Sequence, residues 1–360
     1  MNGIIFQEEP HDDEDTLNIF HPLVKEWWTS KFPSFTPPQK YSILNIHSRV
    51  NTLVSSPTGS GKTLSAFAAI LNELTSHAVS GTLEDKIYAV YVSPLKALGN
   101  DIEKNLKEPL QELNTLYEEG DDLGIRIGVR TGDTTDAEKA SMRDKPPHIL
   151  ITTPESLGII LSSPKFRENL RDAEYVITDE IHSLSENKRG VHLSLSLERL
   201  EELSDNQLTR IGLSATQAPI KEIASYLVGF NVDEDTWEKE TEYETVEMAE
   251  EASEEDYGSR GCKIVDVAAS KEIDIETISP VSDLIYTPGN EIQEAMYDRI
   301  HNLIQDHEST IIFTNTRTAT ERVVNNLKNR FDEYEDEIGA HHSSMSREER
   351  LKVEESLKKG

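Results

Sequence analysis

Six short apolar runs, rich in β-branched residues, recur between Thr52 and Thr216: "TLVSS" (52–56), "IYAVYVSP" (87–94), "IRIGVRTG" (125–132), "HILITTP" (148–154), "YVITDE" (175–180) and "TRIGLSAT" (209–216). Each is followed by a longer stretch of helical period. Several are apolar at consecutive positions, the pattern of strands covered on both faces. The expected fold is therefore α/β, a doubly wound parallel sheet, in which ligands bind where loops gather at the carboxyl ends of the strands. A weaker α/β pattern follows Lys271. It comprises "IDIETISPV", a helix with Ile292, Met296, Ile300, Leu303 and Ile304 on one face, strands expected at "TIIFTN" (310–315) and "EIGAHH", and a last helix in "SREERLKVEESLKKG".

At 360 residues, the chain has room for about two domains. The expected division is an acidic tail (1–20), a first α/β domain (21–230), an acidic insert or linker (231–262) and a second, incomplete α/β domain (263–360). The 36 basic against 67 acidic residues give a net charge of -31, unfavourable for a polyanion partner taken at face value. Much of it is local: Asn231 to Gly258 holds thirteen acids and one lysine, and Glu8 to Asp15 holds six acids. Such composition reads as solvated loop and tail. A high-salt cytoplasm or a protein partner for the insert are the alternatives. The single cysteine, Cys262, fits a reducing compartment. The N-terminus lacks the basic and apolar pattern of a secretory signal, and no apolar run approaches the ~20 residues that span a bilayer. A soluble, intracellular, cytoplasmic or nucleoid-associated monomer is expected.

In "SSPTGSGKT" (55–63), Gly59 and Gly61 permit a turn whose N–H groups converge on one anion, and the helix begun at Lys62 adds its positive end. Ser56, Thr58, Gly59, Ser60, Gly61, Lys62 and Thr63 are the candidate phosphate-binding residues. Lys62 would reach the β and γ phosphates and Thr63 would ligate Mg²⁺. The strict P-loop pattern has glycine where this chain has Ser56. Asp179 and Glu180 end the apolar strand "YVIT", where adjacent carboxylates are costly to desolvate without a cation. The pair divides two tasks, Asp179 holding Mg²⁺ and Glu180 activating water. "LSATQ" (213–217) ends another strand with small hydroxyl residues suited to hydrogen-bonding those carboxylates. Gln39, upstream of the P-loop strand, has the paired donor and acceptor that read an adenine edge.

The ordered set "PPQ", "SPTGSGKT", "SPLKAL", "TPESL", "DEIH", "SAT", "IIFTNTR" and "HHSSMSREER" resembles superfamily 2 helicases of DEAD/DEAH-box type over nearly the whole chain. "DEIHSLSENKRGVHLSLSLERL" (179–200) is more narrowly similar to the large helicase-related (Lhr) family. The resemblance implies two RecA-like domains and ATP-driven translocation, 3′ to 5′ on single-stranded DNA, mostly in repair. RNA is the alternative strand, and a catalytically weak ATP- or strand-binding module the alternative function. The resemblance further implies that Gln39 reads adenine and that His182, Ser214 and Thr216 couple the ATP site to the strand. Pro94, Leu95, Lys96, Thr153, Pro154, Glu155, Thr314, Asn315, Arg317, His341 and Ser343 would line the strand's track. N–H groups and hydroxyls at loop and helix starts can grip phosphates without net basic charge. Lys96, Arg130, Lys188, Arg189 and Arg317 are candidates for the remaining attraction. Two departures stand out. Ser343 occupies a usual glycine position, and the family's later arginine-rich helix is not within the 360 residues, so the chain is expected to be a fragment that binds ATP and turns it over slowly.

Overall fold

The computed structural model describes residues 3–57, 59–94, 96–117, 122–185, 187–215, 219–231, 258–267, 275–335, 337–342 and 344–359. Thr58, Leu95, Thr216, Ser343 and most of the acidic insert lie outside the described residues. The chain divides into two compact units, Met1–Lys271 and Glu272–Gly360.

The first unit contains β1 (Ile4–Phe6), α1 (Asp13–Ile19), α2 (Pro22–Lys31), α3 (Pro37–His47), β2 (Thr52–Ser55), α4 (Lys62–Ser80), β3 (Ala89–Val92), α5 (Lys96–Leu116), β4 (Ile127–Arg130), α6 (Asp136–Asp144), β5 (Ile149–Thr152) and α7 (Pro154–Ser162). After these come β6 (Tyr175–Thr178), α8 (His182–Ser185), α9 (Lys188–Leu203), β7 (Thr209–Ser214), α10 (Ile220–Val228), β8 (Phe230–Asn231), β9 (Gly258–Ser259) and β10 (Cys262–Asp266). Eight strands form one sheet in the order β1-β10-β2-β7-β6-β3-β5-β4. Every pairing in it is parallel. β8 and β9 form a separate antiparallel pair at the base of the acidic insert.

The consecutive apolar runs have the cause inferred from sequence. Along β3, Ala89 and Tyr91 join the core under α4 and α5, whereas Val90 and Val92 join the core under α7 and α9. Along β6, Tyr175 and Ile177 face the first core and Val176 the second. Each aliphatic side chain so buried contributes about 1.5–3 kcal/mol. The sheet is doubly wound, and all six strands expected between Thr52 and Thr216 form. Local signals set the helix starts. Gln39 accepts the Thr36 N–H at the start of α3, Thr153 with Pro154 opens α7, and Asn187 caps α9.

Three expectations are corrected. The boundary expected at 262/263 falls inside β10, which pairs with β2 on one side and β1 on the other and so belongs to the first sheet. The acidic tail is not featureless: Ile4, Ile5 and Phe6 pair with Cys262, Lys263 and Ile264, and α1 follows. A short run of three apolar residues sufficed because β10 offered an open edge. In the second unit, the expected strands at 310–315 and 337–342 do not form, and residues 275–279 are likewise irregular. Among the described residues of that unit no strand pairs with another, and an extended run without neighbours closes no ladder. Ile311 and Phe313 are exposed instead. Its helices Gly289–Gln305, Arg317–Arg330 and Arg347–Lys359 do form. Met296, Ile300 and Ile304 pack around Tyr297, Leu327 and Tyr334, as the helical period implied.

Candidate nucleotide-binding site

β7 lies between β2 and β6, with Ser55 opposite Ser214 and Thr178 opposite Gly212, so the loops after these three strands emerge side by side. The turn after β2 delivers Lys62 to the start of α4, where only 6% of the residue is exposed. Its Nζ donates to the carbonyls of Ser56 (3.1 Å) and Ser214 (3.4 Å), bridging the ends of β2 and β7. Among the described residues these partners are neutral, so a buried ammonium sits at a helix N-terminus with capacity for an anion. Ser56 is buried, and its hydroxyl shares a 2.7 Å hydrogen bond with that of Ser60. The departure from glycine thus closes the turn. Gly61 caps α4 at φ 89°, and a Cβ there would meet Gln39 Nε2 at 2.9 Å and Thr36 Oγ1 at 3.1 Å. Gln39 therefore lies against the turn. Its Oε1 accepts the Thr36 N–H at 2.8 Å, which orients the amide. Gly59, at φ 77°, likewise uses the left-handed freedom of glycine, and Thr63 follows Lys62 in the first turn of α4.

At the end of β6, Asp179 is 3% exposed, and both carboxylate oxygens are engaged. Oδ1 accepts the Glu180 N–H at 2.9 Å and Oδ2 accepts the Tyr91 hydroxyl. Burial pushes the Asp179 carboxyl up from its ordinary range, a cost that a cation would offset. Glu180 has φ 48°, unusual for a residue with a Cβ, and its Oε2 lies 3.3 Å from His182 Nε2. The Ala215 N–H donates to His182 Nδ1 at 3.2 Å, and the Ser214 hydroxyl is equally near. Nδ1 is therefore the acceptor, which leaves the Nε2 proton facing Glu180 in the neutral ring. This joins the acid pair to the end of β7, linking Glu180, His182 and Ser214.

Among the described residues no group of three or more His, Cys, Asp or Glu side chains could hold a metal ion. The oxygen donors present, the Thr63 hydroxyl and the Asp179 carboxylate, fit Mg²⁺, which takes few protein ligands and completes its shell with phosphate and water.

Sequence reasoning missed Tyr91. No spacing rule links positions 91 and 179; the register does, since Tyr91 lies opposite Ile177 and Val92 opposite Thr178. A hydroxyl in an otherwise apolar run was the available signal. Of the other named positions, Pro94 follows β3, Lys96 begins α5, and Thr153, Pro154 and Glu155 open α7, where Thr153 Oγ1 accepts the Ser156 N–H at 3.3 Å. Arg189 joins Pro94 to Glu155, so its charge is partnered by a carboxylate in this structure. Arg130 lies over the Phe166 ring at 3.9 Å, and Lys188 begins α9. In the second unit, Thr314 and Asn315 precede the helix at Arg317, the Arg317 guanidinium donates to Ser344, and His341 pairs with Glu354 at 2.8 Å.

A parallel sheet that sets a glycine turn with a buried lysine beside a paired acid edge defines a RecA-like domain of the P-loop NTPase class. Residues 36–223 match the DEAD/DEAH box helicase family, to which the chain belongs. It is 53% identical to the ATP-dependent helicase Lhr-Core of Methanothermobacter thermautotrophicus over 358 residues, 98% of this chain and 38% of that protein. The solved structure of Mycobacterium smegmatis helicase Lhr bound to ssDNA and AMP-PNP superposes with a TM-score of 0.78 at 36% identity, covering 96% of this chain and 41% of that one. The likeness to Mss116p bound to ssRNA and AMP-PNP, TM-score 0.70 at 20% identity over 99% of this chain and 66% of that one, extends to the fold. The chain thus spans about two fifths of the length of that Lhr-Core protein and of that solved Lhr chain.

Proposed function

We propose that this chain carries the ATP-hydrolysing motor of an Lhr-type helicase that moves along single-stranded DNA. The observation that supports this most is the convergence of Lys62, Asp179, Glu180 and His182 on adjoining strand ends. Lys62 and the N–H groups of the turn would hold the β and γ phosphates, and Gln39 would meet the adenine edge. Thr63 and Asp179 would hold Mg²⁺, which when bound draws charge from the phosphates. Glu180, kept in place by its backbone and by His182 Nε2, would take the proton of the attacking water. His182, bonded to the start of the loop after β7, would pass the state of Glu180 to that loop. DNA is favoured over RNA because the relative at 36% identity was solved with ssDNA. The resemblance further supports 3′ to 5′ movement and a repair role. A monomer, an intracellular location and a protein partner for the acidic insert (231–262) belong to the same reading, as does a second RecA-like domain. Among the described residues no helix is long and apolar enough to cross a membrane.

Glu180→Gln is expected to retain ATP affinity and lose about 10²- to 10⁴-fold in turnover, the usual worth of a positioned base. Lys62→Ala is expected to weaken binding and turnover together. Binding of a fluorescent ATP analogue and phosphate release with single-stranded DNA measure both. Normal turnover by Glu180→Gln would remove the assigned base.

A further inference from the structure

The nucleotide chemistry leaves unused the segment that follows the acid pair. Arg189 Nε donates to Glu155 Oε1 at 2.5 Å, and Nη2 donates to the Pro94 carbonyl at 2.7 Å and to Glu155 Oε2 at 3.3 Å. One guanidinium thereby spans the loop after β3 and the first turn of α7, in the forked geometry that arginine alone provides.

The backbone beneath it is held from several sides. Asn187 Oδ1 accepts the Arg189 N–H at 2.9 Å and the Gly190 N–H at 3.3 Å. Gly190 lies so close to α8 that a Cβ would stand 2.0 Å from the Leu184 carbonyl oxygen, and Tyr226 donates to the Gly190 carbonyl at 2.7 Å. The helix carrying Arg189 is thus fixed to the short helix that begins at His182.

Glu155 raises an electrostatic problem. It stands at the N-terminus of α7, where a phosphate would otherwise be attracted, in a chain of net charge -31. We infer that Arg189 is a positioning residue for strand binding, which ties the loop after β3 to α7 and cancels the Glu155 charge so that a phosphodiester backbone can pass both. The inference rests on the reading that residues 94–98 and 153–157 carry the strand. Glu155 is held below its ordinary carboxyl range by the Arg189 hydrogen bonds, in keeping with a carboxylate that stays paired.

The test is a double-substitution cycle on the 360-residue chain, read by anisotropy of labelled oligothymidylate at low salt. Arg189→Ala is expected to weaken binding by about fivefold, the upper range for an exposed pair, with affinity for an ATP analogue unchanged in the absence of DNA. Adding Glu155→Ala is expected to recover most of that loss, because the carboxylate left uncancelled is then removed. Arg189→Gln should repeat the pattern if the alanine variant folds poorly. If the double variant stays as weak as Arg189→Ala, or if Arg189→Ala binds as the unmodified chain does, the inference is overturned and the strand reading stands. If the unmodified chain does not bind oligothymidylate, both fall.

Discussion

Asp179 could have met its burial in several ways, and this chain uses a tyrosine from the neighbouring strand. Tyr91 stacks on Phe67 with ring centroids 5.3 Å apart, which fixes the ring, and its hydroxyl donates to the carboxylate. Burial and the adjacent carboxylate both hold the phenol well above its ordinary pKa, so it remains a donor. Tyr91→Phe keeps the stacking and removes the donor, leaving one Asp179 oxygen buried without its partner. Such a loss costs about 1–3 kcal/mol, so the variant is expected to unfold at lower urea concentration, and Mg²⁺ with an ATP analogue should recover part of the difference. Equal urea midpoints for the variant and the unmodified chain would show that the bond contributes nothing.

At the scale of elements, strand ends place the chemistry and glycines set how closely the helices approach. The α8–α9 junction depends on Gly190, because an added Cβ would meet Leu184 backbone atoms at 2.0 and 2.7 Å. Gly190→Ala is expected to push α9 away from α8, with a destabilisation of about 1–3 kcal/mol in urea unfolding and weaker oligothymidylate binding as Arg189 leaves Glu155. Unchanged stability would mean the junction is slack. This contact also marks a limit of sequence reading. "ENKRG" could be recognised as part of a family signature, but what Arg189 bonds to depends on α7 lying beside α9, which no local pattern encodes. The strands were legible for the opposite reason: β2, β3, β5, β6 and β7 are buried at every position, the edge strand β4 is half-buried, and their apolar runs carry that burial directly. β1 was not, since three residues in an acidic tail hold no periodicity, and their pairing depends on β10, more than 250 positions away. The run at 310–315 looks like a strand in composition, yet it pairs with nothing among the described residues, and neither does 337–342.

At the scale of the molecule, one parallel sheet collects into a single region the residues that the sequence scatters from Gln39 to Ser214. Most of that site could be read as motifs, because Lys62, Asp179, Glu180 and His182 belong to short recognisable strings. Tyr91, the Ser56–Ser60 bond and the orientation of Gln39 could not, because each arises from register or from the close fit of a turn against a helix. The central claim is that the turn at Lys62 and the edge at Asp179 and Glu180 clasp one magnesium nucleotide. A crystal structure of the chain with Mg²⁺ and a nonhydrolysable ATP analogue tests it most directly. The expected result is a triphosphate with its β and γ groups on Lys62 and the N–H groups of the turn, and its metal between Thr63 and Asp179. A nucleotide bound elsewhere, or none at saturating concentration, would contradict the account.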